Sequence, residues 1–282
     1  MSSKSNNKTF HVHKKSGEIA VFLPEKVRES LKRAGADSET INSIVAAVEN
    51  ELYDGISTKE IYNRAFRLLK KKNTLQASRY KLKKAIYELG PTGFPFERFI
   101  AAIFKNSGYE VEVGKILQGK CVTHEVDVIA EKDQKSLLIE CKFHGTEGKK
   151  TDVKIPLYID SRFRDIQNLK SGKLYDEGWV ATNTVFTEDA VMYAKCCGLN
   201  LLSWNLPKGN SLKDRIDHTG LYPITVSVLL SAREKQFLLS RDVVLCKELI
   251  NDKFYLDHLG VSEKRQKKIL IEMKELCKGI QL

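Results

Sequence analysis

Two neighbouring apolar runs, VTHEVDVIA and LLIECKF, constrain this chain more than any other feature, because they set an aspartate on one strand and a Glu-x-Lys on the next. Both runs are rich in β-branched and apolar residues, and a polar turn at 131–136 separates them. Side chains alternate along a strand, so Glu140 and Lys142 share one face while Leu137, Ile139, Cys141 and Phe143 take the other. On the first strand Asp127 shares a face with Glu125. Pairing the two strands brings Asp127, Glu140 and Lys142 together. Two carboxylates can hold a hard divalent cation through oxygen. The lysine can orient a water or stabilise charge on a phosphoryl group. Taken alone, the pattern also fits an exposed strand face that merely carries charge, and the flanking elements decide between the two.

A helix is expected before the strand pair, over residues 96–107. Phe96, Phe99, Ile100, Ile103 and Phe104 recur at the spacing of a buried stripe, with Glu97 beside it and Gly108 as the stop. A short strand at 111–117 follows. After Phe143 come a basic, Gly-containing loop, a helix at 160–169 carrying Gln167, a strand at 179–186, a helix at 188–197 and a last strand at 199–204. The order α-β-β-β-α-β, then α-β, predicts a central mixed sheet with helices on its faces.

This order, with the segments GFPFERFIAAIFKNSGYEVEV, HEVDVIA, LLIECKF and TNTVFTEDAVMYAKCCGLNLLSW, resembles the PD-(D/E)xK nucleases, and within them the Mrr-type restriction endonuclease domains. The resemblance covers residues 91–204. It implies an Mg²⁺-dependent (or Mn²⁺-dependent) endonuclease acting on double-stranded DNA, of restriction or defence type. By position it makes Asp127 and Glu140 metal ligands, Lys142 the catalytic lysine, Glu97 the helix glutamate and Gln167 the glutamine of the following helix. Many such domains approach the aspartate through glycines. Here the approach is Thr123-His124-Glu125-Val126, which makes Glu125 a possible extra ligand.

The N-terminal segment is of another kind. Residues 10–15 and 18–23 read as two strands joined by Ser16-Gly17, and Pro24 suits the first turn of a helix running to Ala34. Further helices are expected at 38–53, 57–71 and 74–89, with Ser57 and Glu60 in a capping-box pattern. VHKKSGEIAVFLPEKVRESLKRAG, STKEIYNRAFRLL and ASRYKLKKAI resemble the ATP cone, a regulatory nucleotide-binding domain. The resemblance implies binding of ATP or dATP, with Lys14, Lys15, Ser16, Gly17, Lys26 and Arg33 as nucleotide contacts. Lysines and hairpin amides can cradle a triphosphate without a Walker loop. None is present, so ATP hydrolysis finds no support in the sequence. A basic helical module that touches DNA directly is the other reading of this segment.

Beyond residue 204, the stretch 205–222 reads as a linker and the rest as helices. Leu259-Gly260-Val261-Ser262 between two of them resembles a degenerate helix-hairpin-helix, with Ser262 where that motif has a second glycine. Such a turn can aim amides at a DNA phosphate. A plain packing or dimerisation module fits equally.

The fold expected is thus an α/β multidomain chain. Residues 1–90 form a β-hairpin plus helical ATP cone, 91–207 a mixed-sheet, restriction-endonuclease-like α/β/α core, and 208–282 a helical module. Formal charge is +8, −1 and +4 over those three segments, so the basic flanks suit a polyanionic partner while the core stays near neutral. The six cysteines form no disulfide framework and no C-x-x-C, and there is no membrane-length apolar run or signal-peptide core. A cytoplasmic homodimer or higher homo-oligomer is expected, since cutting both strands calls for two sites. The reading that competes with the nuclease is a nucleotide-sensing DNA-binding protein with an inactive nuclease-like core.

Overall fold

A computed structural model describes residues 9–169, 173–252 and 254–278. Its packing falls into two units, residues 1–82 and 83–282.

In the first unit, strands β1 (His11–His13) and β2 (Ile19–Val21) pair antiparallel. The turn between them is longer than a two-residue Ser16-Gly17 hairpin. Lys14 N–H donates to the Glu18 carbonyl (2.9 Å), Gly17 N–H donates to the Lys14 carbonyl (3.0 Å), and Gly17 takes φ +85, where a side chain would be strained. Helix α1 (Pro24–Arg33) starts on its proline, and α2 (Ser38–Asn50) is capped by Asp37. Strand β3 (Ile56–Ser57) pairs parallel to β1, a long-range contact with no local signature. Helix α3 (Thr58–Lys72) follows the Ser57 cap and ends on three lysines, where cations suit the helix dipole. The single helix expected at 74–89 is two, α4 (Thr74–Tyr80) in this unit and α5 (Leu82–Tyr87), which starts at the boundary and belongs to the second. Val12, Leu31, Ile44, Val45, Val48, Ile56, Ala65 and Leu69 form the core of the first unit.

The second unit continues with α6 (Phe94–Asn106), whose stripe Phe96, Phe99, Ile100, Ile103 and Phe104 is fully buried, as its spacing requires. Then come β4 (Glu110–Gln118), β5 (Thr123–Lys132), β6 (Lys135–Lys142), β7 (Lys150–Thr151), α7 (Lys154–Gln167), β8 (Glu177–Thr182), β9 (Val185–Phe186), α8 (Glu188–Cys197) and β10 (Asn200–Leu202). The main sheet has the order β10-β8-β6-β5-β4. β4, β5 and β6 form an antiparallel meander, while β6, β8 and β10 run parallel. The β5–β6 hairpin turns through Asp133 and Gln134, both at positive φ. Ile139 stands in register with Trp179, and Trp179 meets Phe104 of α6 edge-on at 5.6 Å. Glu140 stands in register with Val180, which packs with Ile159 of α7 and Ala190 and Ala194 of α8. Helix α6 therefore covers one face and α7 with α8 the other, which is the α/β/α sandwich.

Three local features differ from the sequence reading. The strand expected at 179–186 is two, β8 in the main sheet and β9, which pairs with β7. Helix α7 begins at Lys154 rather than near 160, with Pro156 tolerated in its first turn. The stretch 205–222, expected as a linker, holds helix α9 (Leu212–Thr219), started by a reciprocal Ser211–Asp214 capping box.

The remaining helices are a 3₁₀ turn (Ile224–Val226), α10 (Ala232–Ser240), α11 (Cys246–Asn251), α12 (Phe254–His258) and α13 (Glu263–Cys277). They pack onto the sandwich: Arg98 on α6 pairs with Asp242 (2.9 Å), and Thr225 Oγ1 donates to the Ala85 carbonyl (2.7 Å). Gly260, at φ +66, makes the turn between α12 and α13, which Gln266 ties to Asp257 and to the Val261 carbonyl. All six cysteines are free. No helix among the described residues is long and apolar enough to cross a membrane.

Candidate active site

The β5–β6 ladder is paired up to Val128 opposite Ile139. One position further, at Asp127 and Glu140, the strands part. There the Asp127 carboxylate replaces the ladder: its Oδ2 accepts the Cys141 N–H at 2.6 Å. Asp127 is thus fixed by backbone at the fork. Glu140 faces Arg162 of α7, whose Nη1 lies 2.7 Å from Oε1, with the two side chains only 14% and 15% exposed. Arg162 also donates to the Glu125 carbonyl and lies over the Tyr158 ring. Glu97 reaches the same place from the first turn of α6.

All three carboxyls have a raised proton affinity. Burial pushes Glu140 up to about 8, Asp127 and Glu97 add to the rise, and Arg162 opposes it. Burial pushes Glu97 up to about 7, with Asp127 and then Glu125 reinforcing it. Asp127 is also raised, chiefly by burial, against the pull of the Cys141 N–H and Arg162. Asp127 thus raises the proton affinity of both glutamates, and hard oxygen donors under such repulsion are the donor set a divalent cation relieves, so the residues fit such an ion. As placed, no three His, Cys, Asp or Glu side chains among the described residues are gathered to hold a metal. Glu140 is turned onto Arg162 instead.

Lys142 lies two residues beyond Glu140 on the same face and is exposed. Its carbonyl accepts the Thr182 hydroxyl at 2.8 Å. Thr182 belongs to a buried cluster with Thr151 and Thr184, and Thr151 Oγ1 lies 3.0 Å from His144 Nε2. The Asn183 side chain bonds both backbone groups of His144 (2.8 and 2.9 Å). Burial and the Lys142 charge lower the His144 pKa. The network clamps the end of β6, and its sequence trace is the Thr-Asn-Thr that begins on the last residue of β8.

Gln167 is not brought to the carboxylates. Its amide bonds the backbone of Tyr175 in both directions. Five residues after Arg162 it sits about 140° further round the helix, so with Arg162 aimed at Glu140 it is aimed elsewhere. Sequence reasoning missed Arg162, which takes the place facing the site.

Above the fork, the β4–β5 loop is stapled to α7. Asp165 accepts Cys121 N–H (2.9 Å) and Val122 N–H (3.3 Å) and lies 2.8 Å from His124 Nε2. These bonds, His124 first, hold its pKa down at about 2. Gly119 makes the staple possible, because a Cβ there would lie 2.2 Å from Asp165 Oδ2 and 2.7 Å from the Val122 carbonyl. Gly119→Ala is expected to destabilise the protein by about 1–3 kcal/mol. Urea unfolding is the check, and an unchanged midpoint would refute the close approach.

In the N-terminal unit, Lys14, Lys15, Ser16 and Gly17 form the hairpin turn, with Lys14 Nζ paired to Glu18 at 2.8 Å. Lys26 and Arg33 lie seven residues apart on α1, hence on one side of it, both exposed. Arg33 Nη2 donates to Ser30 Oγ at 3.4 Å.

The mixed sheet, its helices and the carboxylates at the strand fork define a restriction-endonuclease-like domain. The chain carries a domain that the restriction endonuclease family matches over residues 91–206 and an N-terminal domain that the ATP cone family matches over residues 10–86. A third family, described as AF1548-like, C-terminal, matches residues 222–277. An uncharacterized protein of Archaeoglobus fulgidus is 32% identical over 178 residues, which span 63% of this chain and 99% of that one. The crystal structure of AF1548, a protein of unknown function, superposes with a TM-score of 0.55 at 29% identity, over 67% of this chain and all (100%) of that one. VC1899 from Vibrio cholerae is 14% identical, with a TM-score of 0.27 over 64% of this chain and 50% of that one.

Proposed function

We propose that this protein is a metal-dependent DNA endonuclease of restriction or defence type whose cutting is regulated by ATP or dATP bound to the N-terminal cone. The observation that carries the reading is the β5–β6 fork, where Asp127 is fixed on the Cys141 N–H and its charge raises the proton affinity of both Glu97 and Glu140. Asp127 and Glu140 would hold Mg²⁺ or Mn²⁺, with Glu97 beside them. A divalent ion bound there supplies a water of lowered pKa and neutralises phosphodiester charge. Lys142, exposed on the Glu140 face, orients the attacking water or stabilises charge developing on phosphorus. Glu140 exchanges Arg162 for the ion. The basic N- and C-terminal segments supply DNA affinity, and a homodimer supplies a second site for the second strand.

The deciding experiment incubates the protein with supercoiled plasmid, methylated and unmethylated, with and without Mg²⁺ and ATP. Nicked and linear products that need the metal are expected. DNA binding without products under every condition would favour the inactive-core reading instead.

In the cone, Lys14, Lys15, Ser16, Gly17 and Lys26 surround the phosphates, with Arg33 further along α1. Calorimetry is expected to show ATP or dATP binding that Lys14→Ala and Lys26→Ala each weaken about tenfold, the worth of one charge-assisted hydrogen bond. A ligand regulates only by favouring one state of the protein, so cleavage or assembly must shift with binding. Silence at millimolar nucleotide would leave the segment as a basic DNA-contacting module.

A further inference from the structure

A candidate metal ligand, Glu140, is paired with an arginine of α7. Arg162 opposes the raised proton affinity of both Glu140 and Asp127. Its guanidinium is held at three points: Glu140 Oε1 at 2.7 Å, the Glu125 carbonyl, and the Tyr158 ring at 5.5 Å. The first two join both strands of the fork to α7, and the third lies outward, since Tyr158 is 62% exposed. A guanidinium and a divalent cation on one carboxylate, each a few ångströms from the other and mostly out of water, repel strongly. Glu140 therefore serves one or the other. Once freed, a guanidinium is the side chain best shaped to take two phosphate oxygens in a planar fork, and the Tyr158 ring gives it a resting place on the open side.

We propose that Arg162 is a positioning residue of this site: it holds the Glu140 carboxyl in the metal-free protein, gives Glu140 up when a divalent cation binds, and then engages a phosphate of the DNA backbone. The proposal rests on the nuclease reading above. Metal and DNA occupancy are thereby coupled through one side chain with two positions. Arg162 keeps Glu140 in place for the ion and hinders the ion's entry until DNA offers the guanidinium a second partner.

The test uses the full-length protein and Mn²⁺ itself, titrated without DNA at about pH 8.5. Arg162→Gln removes the competitor and is expected to bind Mn²⁺ about tenfold more tightly than the parent chain. Arg162→Lys keeps a charge without the fork and falls between them. Asp127→Asn binds weakly in either background. DNA binding is then measured against salt, with Ca²⁺ replacing the cleaving metal. The log–log slope is expected to fall by about one in Arg162→Gln when Ca²⁺ is present, as for loss of a single phosphate contact, and to match the parent without it. Mn²⁺ affinity that is equal or weaker in both Arg162 variants would overturn the role of holding Glu140. An unchanged slope with Ca²⁺ would overturn the phosphate role. If the parent shows no Mn²⁺ binding that depends on Asp127, the nuclease reading itself fails, a result distinct from the other two. Arg162→Lys preserves the test should Arg162→Gln not fold.

Discussion

Asp127→Asn is expected to reduce plasmid cleavage by about a thousandfold or more while leaving DNA affinity within about threefold, and Lys142→Ala to reduce it by about a hundredfold or more. The asparagine keeps an oxygen for the Cys141 N–H, which Asp127 accepts at 2.6 Å, so the fork between the strands should persist. What it removes is the negative charge that a divalent ion needs. Lys142 is exposed and its side chain is no part of the buried cluster behind it, so its loss should cost rate rather than fold. Affinity should survive because the basic charge lies outside the core, at +8 and +4 in the flanking segments against −1 in the core. Nicking rates and a filter-binding isotherm on the same preparations separate the two effects. Unchanged nicking by both variants would place the chemistry elsewhere.

Glu140→Gln is expected to make the protein more stable at alkaline pH, by about 2 kcal/mol near pH 8.5, and by progressively less as pH falls toward 4.5. Glu140 holds its proton up to about 8 in the folded protein, against 4.5 for the free side chain. Between those values the folded chain carries a proton that the unfolded chain has lost. Folding stability from this group is therefore fully present at low pH and drains away as pH rises toward 8. Glu97, raised to about 7, acts in the same direction over a narrower window. Glutamine mimics the protonated acid, still accepts from Arg162, and removes the loss. Such a gain from deleting a functional charge is the usual trade of stability for activity. Mg²⁺ should restore the parent chain at pH 8.5 and leave the variant unmoved, because a ligand that binds only the folded state stabilises it. Urea unfolding across pH 5–9 reads the difference. A variant less stable than the parent at pH 8.5 would sink the account.

Both arguments begin from residues legible in the sequence, while their partners come from the fold. Alternation along LLIECKF put Glu140 and Lys142 on one face, and the stripe of α6 gave the helix that presents Glu97. Each of these is a periodicity within one element, set by backbone geometry and by the need to bury apolar surface, so it is written locally. The choice of Gln167 as a site residue rested on its place in a family pattern. It carried no information on how far round α7 the sheet-facing side extends, and the helix presents Arg162 instead while Gln167 bonds Tyr175.

What the sequence by itself determined is the strand pair with its carboxylates and lysine, the order of elements around it, the hairpin-and-helix character of the N-terminal unit, and the basic flanks. Only the tertiary structure decided that β3 pairs with β1, that the Thr151, Thr182 and Thr184 hydroxyls clamp the end of β6, and that Arg162 lies on Glu140. The physical reason is common to all three. A residue's face on its own element follows from a period of two or 3.6 residues. Its partner on another element follows from the angle at which the two cross and from which buried polar groups must find one another, and no short stretch of chain encodes either.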